Sequence, residues 1–320
     1  MRHRGKEGGR KAAFARVGRN SRCHTVLPVY VLALSMDDRA TVFGQHRQRL
    51  YGIAYRMLGS KADAEDMLQE AYLRWHRSER ERVQTPEAWL VTTVTRLCID
   101  RLRAARSERE AYVGPWLPEP LLGDAPADRR AELASDLSVA FLVVLERLSP
   151  EERAAFLLHD VFDCEYAEVA RILGKSEAAC RQIAHRARER VRSDRPRFQV
   201  SEAARVRLLE KFVAALRAQD HQALLALFAE DATWTSDGGG KTKAAKKVVR
   251  SAPRVARFAA AVWRRYLSRM SHELAPINGE AGLLMRLGGR PASVISIDTD
   301  GERILAVYTV LNPDKLKGIA

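Results

Sequence analysis

The chain has 320 residues, of which 46% are hydrophobic and 29% charged, and its formal net charge is +14. This length is enough for two or three domains with cores of their own. The positive charge favours polyanionic partners, although a solvated basic surface is the simpler alternative. The four cysteines do not pair at metal-ligand spacing, so we expect reduced thiols, no disulfide framework and no metal site.

Residues 1–35 are predicted to be a disordered basic extension. They hold eight Lys or Arg and one Glu, and therefore half of the net charge. Their apolar run at 25–35 is similar to the core of a short signal peptide, but it is shorter than the ~18–20 residues that cross a bilayer. A helix-like segment begins at Met36, which we expect to be the true start of the protein.

Residues 36–109 are predicted to be helical throughout. Apolar residues recur at helical spacing through 42–58, after which Gly59 ends the helix and Ser60 can cap the next one. The second helix contains the acidic segment 63–75, which would be repelled by a polyanion and suits a basic protein partner. A solvated acidic face is the alternative. The candidate contact residues are Asp63, Glu65, Asp66, Gln69 and Glu70.

A charged loop at 78–84 leads to a third helix, which Thr85 and Pro86 begin and which continues to about Arg106. Basic residues with an aromatic side chain near a helix N-terminus suit single-stranded or melted nucleic acid. The alternative for Trp89 is an ordinary place in the core. The candidate nucleic-acid contacts in the loop and helix are Arg80, Arg82, Trp89, Arg96 and Arg103.

Residues 110–136 are predicted to be a linker, because they contain four prolines and two glycines and show little periodicity. Within the linker, the segment WLPEP at 116–120 places apolar residues in an otherwise unstructured run. Such residues often dock onto a neighbouring surface. From composition alone, docking and a plain spacer remain equally open.

Residues 137–195 contain a helix-turn-helix pattern. A capping box predicts a helix from Ser149, a short helix follows at 166–173, and Gly174 makes a tight turn before a basic final helix. In such motifs the second helix enters the DNA major groove, where Arg reads guanine and Gln reads adenine. A basic surface helix is the alternative. The candidate DNA contacts are Ser176, Glu177, Arg181, Gln182, His185, Arg186 and Arg188.

The C-terminal part combines helices with strands. Two helices are predicted within 202–229, and turn signals stand at Gly288-Gly289 and Asp300-Gly301. The predicted strands lie at 233–236, 282–287, 292–297 and 303–311. This order favours an α+β fold in which the sheet curls around a pocket. No acid–base pair is evident from spacing, so we expect neither catalysis nor a cofactor.

The three helical motifs, in this order, resemble the extracytoplasmic-function sigma factors of bacterial RNA polymerase. The acidic helix looks like the part of region 2 that binds the β′ clamp helices. The helix from Pro86, with the loop before it, looks like the part that melts and reads the −10 element, and the helix-turn-helix looks like region 4, which reads the −35 element. The resemblance implies two partners, core RNA polymerase through its β′ clamp and β flap, and promoter DNA.

The C-terminal motifs SDGGGK at 236–241 and NPDKL at 312–316, together with the WLPEP linker, look like the subgroup with a fused SnoaL-like domain. The resemblance implies that this domain, and not a dedicated anti-sigma protein, regulates the sigma factor. The implied regulatory residues are Trp116, Leu117, Pro118, Asp237, Gly238, Gly239, Gly240, Lys241, Asn312, Pro313, Asp314 and Lys315.

The expected fold class is therefore multidomain, with two all-α sigma domains and a C-terminal α+β SnoaL-like cone domain. Region 2 is expected at 36–109, region 4 at 137–195 and the cone domain at 201–320. We expect a cytoplasmic protein without a membrane partner, because secretion would make a DNA-binding motif useless. The alternative is a helix-turn-helix regulator that senses a small molecule in the C-terminal cone, and a small-molecule ligand remains open for either function.

Overall fold

A computed structural model describes the chain in four stretches, residues 27–78, 83–123, 137–194 and 200–319. The predictions for Arg80, Arg82 and residues 1–26 lie outside the described residues. Within the described stretches, the structure has no helix with the length and apolar character that a membrane span requires.

The described chain is helical up to residue 194. Its helices are α1 (Leu27–Leu58), α2 (Lys61–Arg77), α3 (Pro86–Ala104), α4 (Arg106–Glu110), α5 (Val139–Leu145), α6 (Pro150–Phe156), α7 (Tyr166–Leu173) and α8 (Glu177–Asp194), with a π-helical turn at Leu157–Val161. The Ser60 hydroxyl accepts a hydrogen bond from the Asp63 N–H and caps α2, as the sequence predicts. The predicted capping box of Ser149 and Glu152 opens α6.

The start of α1 corrects one prediction. The helix begins at Leu27, so residues 27–35 are helical, whereas the sequence analysis assigned them to a disordered extension. The reason lies in the residues themselves. Pro28 falls in the first turn, where its fixed φ suits a helix, and the apolar run that follows contains no further helix breaker before Met36.

The two helical regions share one hydrophobic core. Helices α1, α2 and α3 form a bundle, and α6, α7 and α8 pack beside it through contacts of α3 with α6 and α7. Fully buried residues from both sides, such as Leu50, Leu90 and Leu157, belong to the same cluster. Gly174 ends α7 with a φ of 64°, a left-handed conformation that glycine adopts without strain, and so turns the chain into α8.

The C-terminal domain packs helices on a six-stranded sheet. Its elements are α9 (Glu202–Ala218), α10 (His221–Ala226), β1 (Phe228–Asp237), β2 (Val249–Arg250), α11 (Ala252–Arg265), a 3₁₀ turn (Leu267–Arg269), β3 (Ser271–Ile277), β4 (Glu280–Leu287), β5 (Arg290–Thr299), β6 (Ile304–Val310) and α12 (Pro313–Leu316). The strand order is β2-β1-β6-β5-β4-β3, and all pairs are antiparallel except β1 with β6. The sequence analysis missed β3, because its residues are mostly exposed and show no clear alternation.

The two faces of this sheet have different neighbours. One face builds the core of the domain with α9 and α11, around buried residues such as Trp234, Ile295 and Val307. Side chains alternate along a strand, so Val310 and its partner Asp237 point to the other face. There Val310 belongs to a separate cluster that includes Val139 of α5 and Leu117 of the linker. The second face therefore covers the helical half of the protein.

Candidate functional site

The linker is docked between the helical half and the C-terminal sheet. Residues 111–122, which we call the strap, run without regular structure after α4. Leu117 is fully buried against Val139 and Ile277, and Trp116 is half-buried. An added Cβ at Gly59 of region 2 would lie 2.7 Å from the Trp116 ring, which shows how closely the ring approaches that turn. The strap is therefore a structural element and not a plain spacer.

Asp237 holds the centre of the strap from the end of β1. Its carboxylate has no exposed surface and accepts three hydrogen bonds. Oδ1 accepts from the Tyr112 hydroxyl at 2.6 Å, and Oδ2 accepts from the Leu117 N–H at 2.9 Å and from Lys315 Nζ at 2.7 Å. A buried charge is costly unless it is paired and hydrogen-bonded, and here both conditions are met.

Lys315 of α12 completes this pairing. Its ammonium also donates to the carbonyl oxygen of Leu117 and lies 4.0 Å from the centre of the Trp116 ring, to which the Arg109 guanidinium approaches within 3.5 Å. Burial lowers the pKa of Lys315 to about 8, although the Asp237 carboxylate favours the charged form. Burial and the hydrogen bond to Asp237 together raise the pKa of Tyr112.

The glycine loop after β1 packs against α12. Gly239 has a φ of 57°, and a Cβ there would lie 2.3 Å from the Asn312 side-chain nitrogen. That nitrogen donates to the Tyr112 hydroxyl at 2.8 Å. Lys241 pairs with Asp314 and, together with Lys317, lowers the pKa of Asp314 to about 2. The loop thus needs glycine for both its conformation and its close approach.

The structure brings all twelve residues assigned to regulation into one region, which we call the junction. Three lie on the strap, five at the end of β1 and in the loop after it, and four in the NPDKL segment. These residues are Trp116, Leu117, Pro118, Asp237, Gly238, Gly239, Gly240, Lys241, Asn312, Pro313, Asp314 and Lys315. Their part in regulation stays a prediction.

A second attachment of the strap was missed by the sequence analysis. Asn278, in the turn between β3 and β4, exchanges two hydrogen bonds with Leu121, at 3.0 Å and 2.8 Å. Its side-chain nitrogen donates to the hydroxyl of Tyr55 in α1, which donates to the Glu119 carbonyl. The dipeptide Asn278-Gly279 marks the turn in the sequence, but nothing local indicates that it reaches another domain.

The acidic residues of α2 are largely exposed and form local ion pairs. Glu65 pairs with Arg47 at 2.6 Å and Glu70 with Arg74 at 2.8 Å. Asp63 is less exposed and accepts from Arg101 at 2.9 Å. The remaining two candidates, Asp66 and Gln69, are exposed. All five side chains lie on α2, and their contact with a partner stays a prediction.

Two candidate −10 residues of α3 contact region 4, although both side chains remain exposed. Arg96 donates to the carbonyl oxygens of Arg171 and Ile172 at the C-terminal end of α7, both at 2.9 Å. Arg103 pairs with Glu151 of α6 at 2.9 Å. Trp89 is half-buried, with its ring 5.6 Å from that of Trp75. In this arrangement the two arginines connect the helical regions.

The final helix of the helix-turn-helix presents a basic face. Six of the seven −35 candidates are exposed, namely Ser176, Glu177, Arg181, Gln182, His185 and Arg186. The Ser176 hydroxyl accepts from the Ala179 N–H at 3.2 Å, and Glu177 pairs with Arg181 at 2.8 Å. Arg188 differs, because it is 26% exposed and pairs with Asp160 at 2.7 Å.

The other side of α8 is buried in the helical core. It consists of Cys180, Ile183, Ala184, Ala187 and Val191. Cys98, Cys164 and Cys180 are buried thiols without a disulfide. In the part of the chain that the structure describes, no three His, Cys, Asp or Glu side chains converge as metal ligands.

Comparison with known proteins connects these surfaces to a family. Residues 42–108 match the model of Sigma-70 region 2, and residues 138–191 match that of Sigma-70, region 4. The chain is 39% identical over 285 residues to the ECF RNA polymerase sigma factor SigJ of Mycobacterium tuberculosis, which covers 85% of this chain and 91% of the relative. The chain belongs to the extracytoplasmic-function sigma factors.

Further comparisons cover most of the length of this sigma factor. It is 30% identical over 295 residues to the probable ECF RNA polymerase sigma factor SigI of M. tuberculosis, covering 88% of this chain and 95% of the relative. The crystal structure of the M. tuberculosis extracytoplasmic function sigma factor SigJ matches with a TM-score of 0.70 and 37% identity, over 87% of this chain and 98% of the other.

These findings confirm three predictions from the sequence: the family, the fold class of two helical sigma domains with an α+β C-terminal domain, and the function as a sigma factor. Sigma factors bind core RNA polymerase and promoter DNA. The alternative of a helix-turn-helix regulator outside the sigma family does not fit this membership.

Proposed function

We propose that this sigma factor directs core RNA polymerase to promoters through three surfaces and that its C-terminal domain controls their availability. The acidic side chains of α2, from Asp63 to Glu70, would bind the polymerase β′ clamp. The helix α3 with the loop before it would engage the −10 element. The exposed face of α8 would bind the −35 element while region 4 contacts the β flap. Exposure of acidic residues on α2 and of basic residues on α8 supports this division.

Control by the C-terminal domain is supported by one observation above all. The Asp237 carboxylate is buried and bonds at once to two groups of the strap, Tyr112 and Leu117, and to Lys315 of α12. The strap also carries a bond from Tyr55 of region 2 to the Glu119 carbonyl. A change at Asp237 would therefore reach region 2 through a continuous set of contacts.

The contact between α3 and region 4, which we call the closed arrangement, is what the C-terminal domain would control. Arg96 and Arg103 of α3 contact Arg171, Ile172 and Glu151 of region 4, as described above. We infer that region 4 must leave α3 before these arginines engage a melted −10 element. The junction would oppose this separation, because the hydrophobic cluster around Leu117 of the strap includes Val139 of region 4.

The remaining partners follow from the same proposal. The protein would act in the cytoplasm, where RNA polymerase works, and would need no dedicated anti-sigma protein because its own C-terminal domain restrains it. It would act by binding and not by catalysis, with a small molecule as the additional ligand of the C-terminal domain. The domain boundaries 36–109, 137–195 and 201–320 belong to the proposal as functional units.

Multi-round transcription with core RNA polymerase tests the control by the junction. We expect the full chain with Asp237→Asn to give several-fold more transcript than the wild type, because the neutral amide pairs poorly with Lys315. Tyr112→Phe, which removes a single hydroxyl, should have a smaller effect in the same direction. Asp231→Asn is the matched control, since Asp231 lies on the same strand but is exposed. Equal transcript from all four proteins would refute control by the junction.

A further inference from the structure

The C-terminal domain contains a cavity between its sheet and α11. The cavity has a volume of about 710 Å³. Its walls are mainly apolar and include Trp234 of β1, Phe258 and Val262 of α11, and Leu267 of the 3₁₀ turn. Volume and lining are those of a small-molecule site, in which an apolar pocket carries a few well-placed polar groups.

Two hydroxyl groups on neighbouring strands supply such polar groups. Ser236 of β1 and Thr309 of β6 are partners in the parallel ladder, and both line the cavity. Ser236 Oγ accepts from the Trp234 indole N–H at 3.1 Å, which leaves its own proton for another acceptor. Thr309 is only 5% exposed, and its hydroxyl has no hydrogen-bond partner among the described residues. A buried hydroxyl without a partner is unfavourable, and an acceptor oxygen on a ligand would relieve it.

The mouth of the cavity is also unusual. Tyr266 and Leu287 line it and are 38% and 53% exposed, which makes them two of the five large hydrophobic side chains that are exposed in the described chain. Lys241 and Lys243 also line the cavity. In the described stretches, no Asp, Glu or His side chain lines the cavity. The lining therefore suits binding of an apolar molecule.

The cavity shares two of its walls with the junction. Residues 241–245, which directly follow the glycine loop, line it, as do Pro313 and Leu316 of α12. Lys315, which lies between Pro313 and Leu316 in α12, bonds to Asp237 and to the strap. A molecule in the cavity would thus contact both segments that hold the strap in place.

We propose that this cavity binds an apolar small molecule with an acceptor oxygen, such as an aromatic ketone, and that the bound molecule stabilises the closed junction. The direction follows from the structure, because the cavity is formed while the junction is closed. A ligand favours the conformation to which it binds more tightly. The regulatory half of this proposal rests on the control by the C-terminal domain proposed above, whereas the binding site stands independently of it.

Two probes of nearly equal shape test the site on the full chain without polymerase. 2-Acetylnaphthalene carries an acceptor oxygen, and 2-ethylnaphthalene lacks it. Binding is followed by intrinsic tryptophan fluorescence, to which Trp234 in the cavity contributes. We expect the wild type to bind the ketone at least about threefold more tightly than the hydrocarbon, as one neutral hydrogen bond allows.

Two variants test whether the Thr309 hydroxyl causes the tighter binding of the ketone. Thr309→Val keeps the shape of the side chain and removes its hydroxyl, and should abolish the preference for the ketone. Ser296→Ala is the matched control, because the Ser296 hydroxyl is also buried without a described partner but lies on the opposite face of the sheet. It should keep the preference. Absence of binding by both probes, or an unchanged preference in Thr309→Val, would overturn the site.

Hydrogen exchange at the Leu117 amide tests the coupling, because this amide donates to Asp237. Saturating 2-acetylnaphthalene should slow its exchange several-fold in the wild type. At one subsaturating concentration, the slowing should be smaller in Thr309→Val than in the wild type, because the variant binds the ketone more weakly. Binding without slower exchange would overturn the coupling. Increased transcription from Asp237→Asn together with no probe binding would leave the control by the junction intact and reject the ligand site, so the two failures are distinguishable.

Discussion

Lys315 shows how a single buried cation depends on its surroundings. Burial lowers its pKa from the usual 10.5 to about 8, against the attraction of Asp237. Between these two values the folded chain binds fewer protons at this site than the unfolded chain. Its contribution to stability therefore increases as the pH rises through this window, and it is lost as the pH falls through about 8.

We expect this dependence to disappear in Lys315→Met, which keeps an unbranched side chain without a titrating group. The free energy of unfolding of the wild type, minus that of Lys315→Met, should increase between pH 8 and pH 10. Denaturant titrations at several pH values measure it. Lys317→Met is the comparison variant, because it removes a lysine of the same segment whose side chain is 77% exposed. A difference that decreases with pH would mean that Asp237 raises the pKa of Lys315.

The residue-level features were predictable to different degrees. Asp237 and Lys315 were assigned to regulation by family resemblance, and the structure places them 2.7 Å apart. Asn278 and Tyr55 were not identified, because an asparagine in a turn and a tyrosine in a helix have ordinary local explanations. Only the folded chain shows that they bond to each other and to the strap.

Among the elements, the glycine loop has the strictest requirements. Gly239 and Gly288 both have a φ of 57°, yet only Gly239 would bring a Cβ into contact with another residue, at 2.3 Å from Asn312. Alanine at either position should cost roughly 1–2 kcal/mol from the left-handed backbone. The pair therefore separates backbone strain from the close approach.

We expect Gly239→Ala to lower the free energy of unfolding by about 1–3 kcal/mol more than Gly288→Ala, because Asn312 must shift and lose its bond to Tyr112. Chemical denaturation of the full chain measures both losses. Equal losses in the two variants would mean that the loop accommodates the methyl group and that its packing on α12 is not required.

The recognition helix α8 gives a second prediction at this scale. Arg181→Ala should remove about 1–3 kcal/mol of discrimination between the native and a mutated −35 element. Arg192→Ala is a suitable control, since Arg192 is 71% exposed near the end of the same helix and would at most contact phosphates. Binding of the complete polymerase holoenzyme to the two DNA sequences measures the discrimination. Equal discrimination by wild type and Arg181→Ala would exclude Arg181 as a base-reading residue.

At the scale of the whole molecule, the contact between α3 and region 4 decides how accessible the proposed −10 surface of α3 is to DNA. The variant Arg96→Met with Arg103→Met removes two bonds to α7 carbonyls and one ion pair to α6. We expect the free energy that holds region 4 against α3 to decrease by about 1–2 kcal/mol. This decrease corresponds to roughly 5–30-fold faster exchange of the α7 amides. The shared hydrophobic core should keep the average structure closed.

Hydrogen exchange on the full chain measures this opening. Arg106→Met is the control, because Arg106 is 83% exposed and pairs only with Glu110 of its own short helix in the described chain. Unchanged exchange in the double variant would show that apolar contacts alone hold the two regions together. Transcription is a poor readout here, since both arginines are also the proposed −10 contacts.

The sequence by itself determined most helices of the two sigma regions, several of their caps and the order of the motifs, because these depend on residues close together in the chain. The capping box at Ser149, the turn at Gly174 and the hairpin signals at 288–289 and 300–301 are all local. Together they were sufficient for the fold class and the family. Only the tertiary structure decided how the domains meet. The strap, the end of β1 and α12 are far apart in sequence, and a buried carboxylate such as Asp237 is stable only where folding brings its donors together.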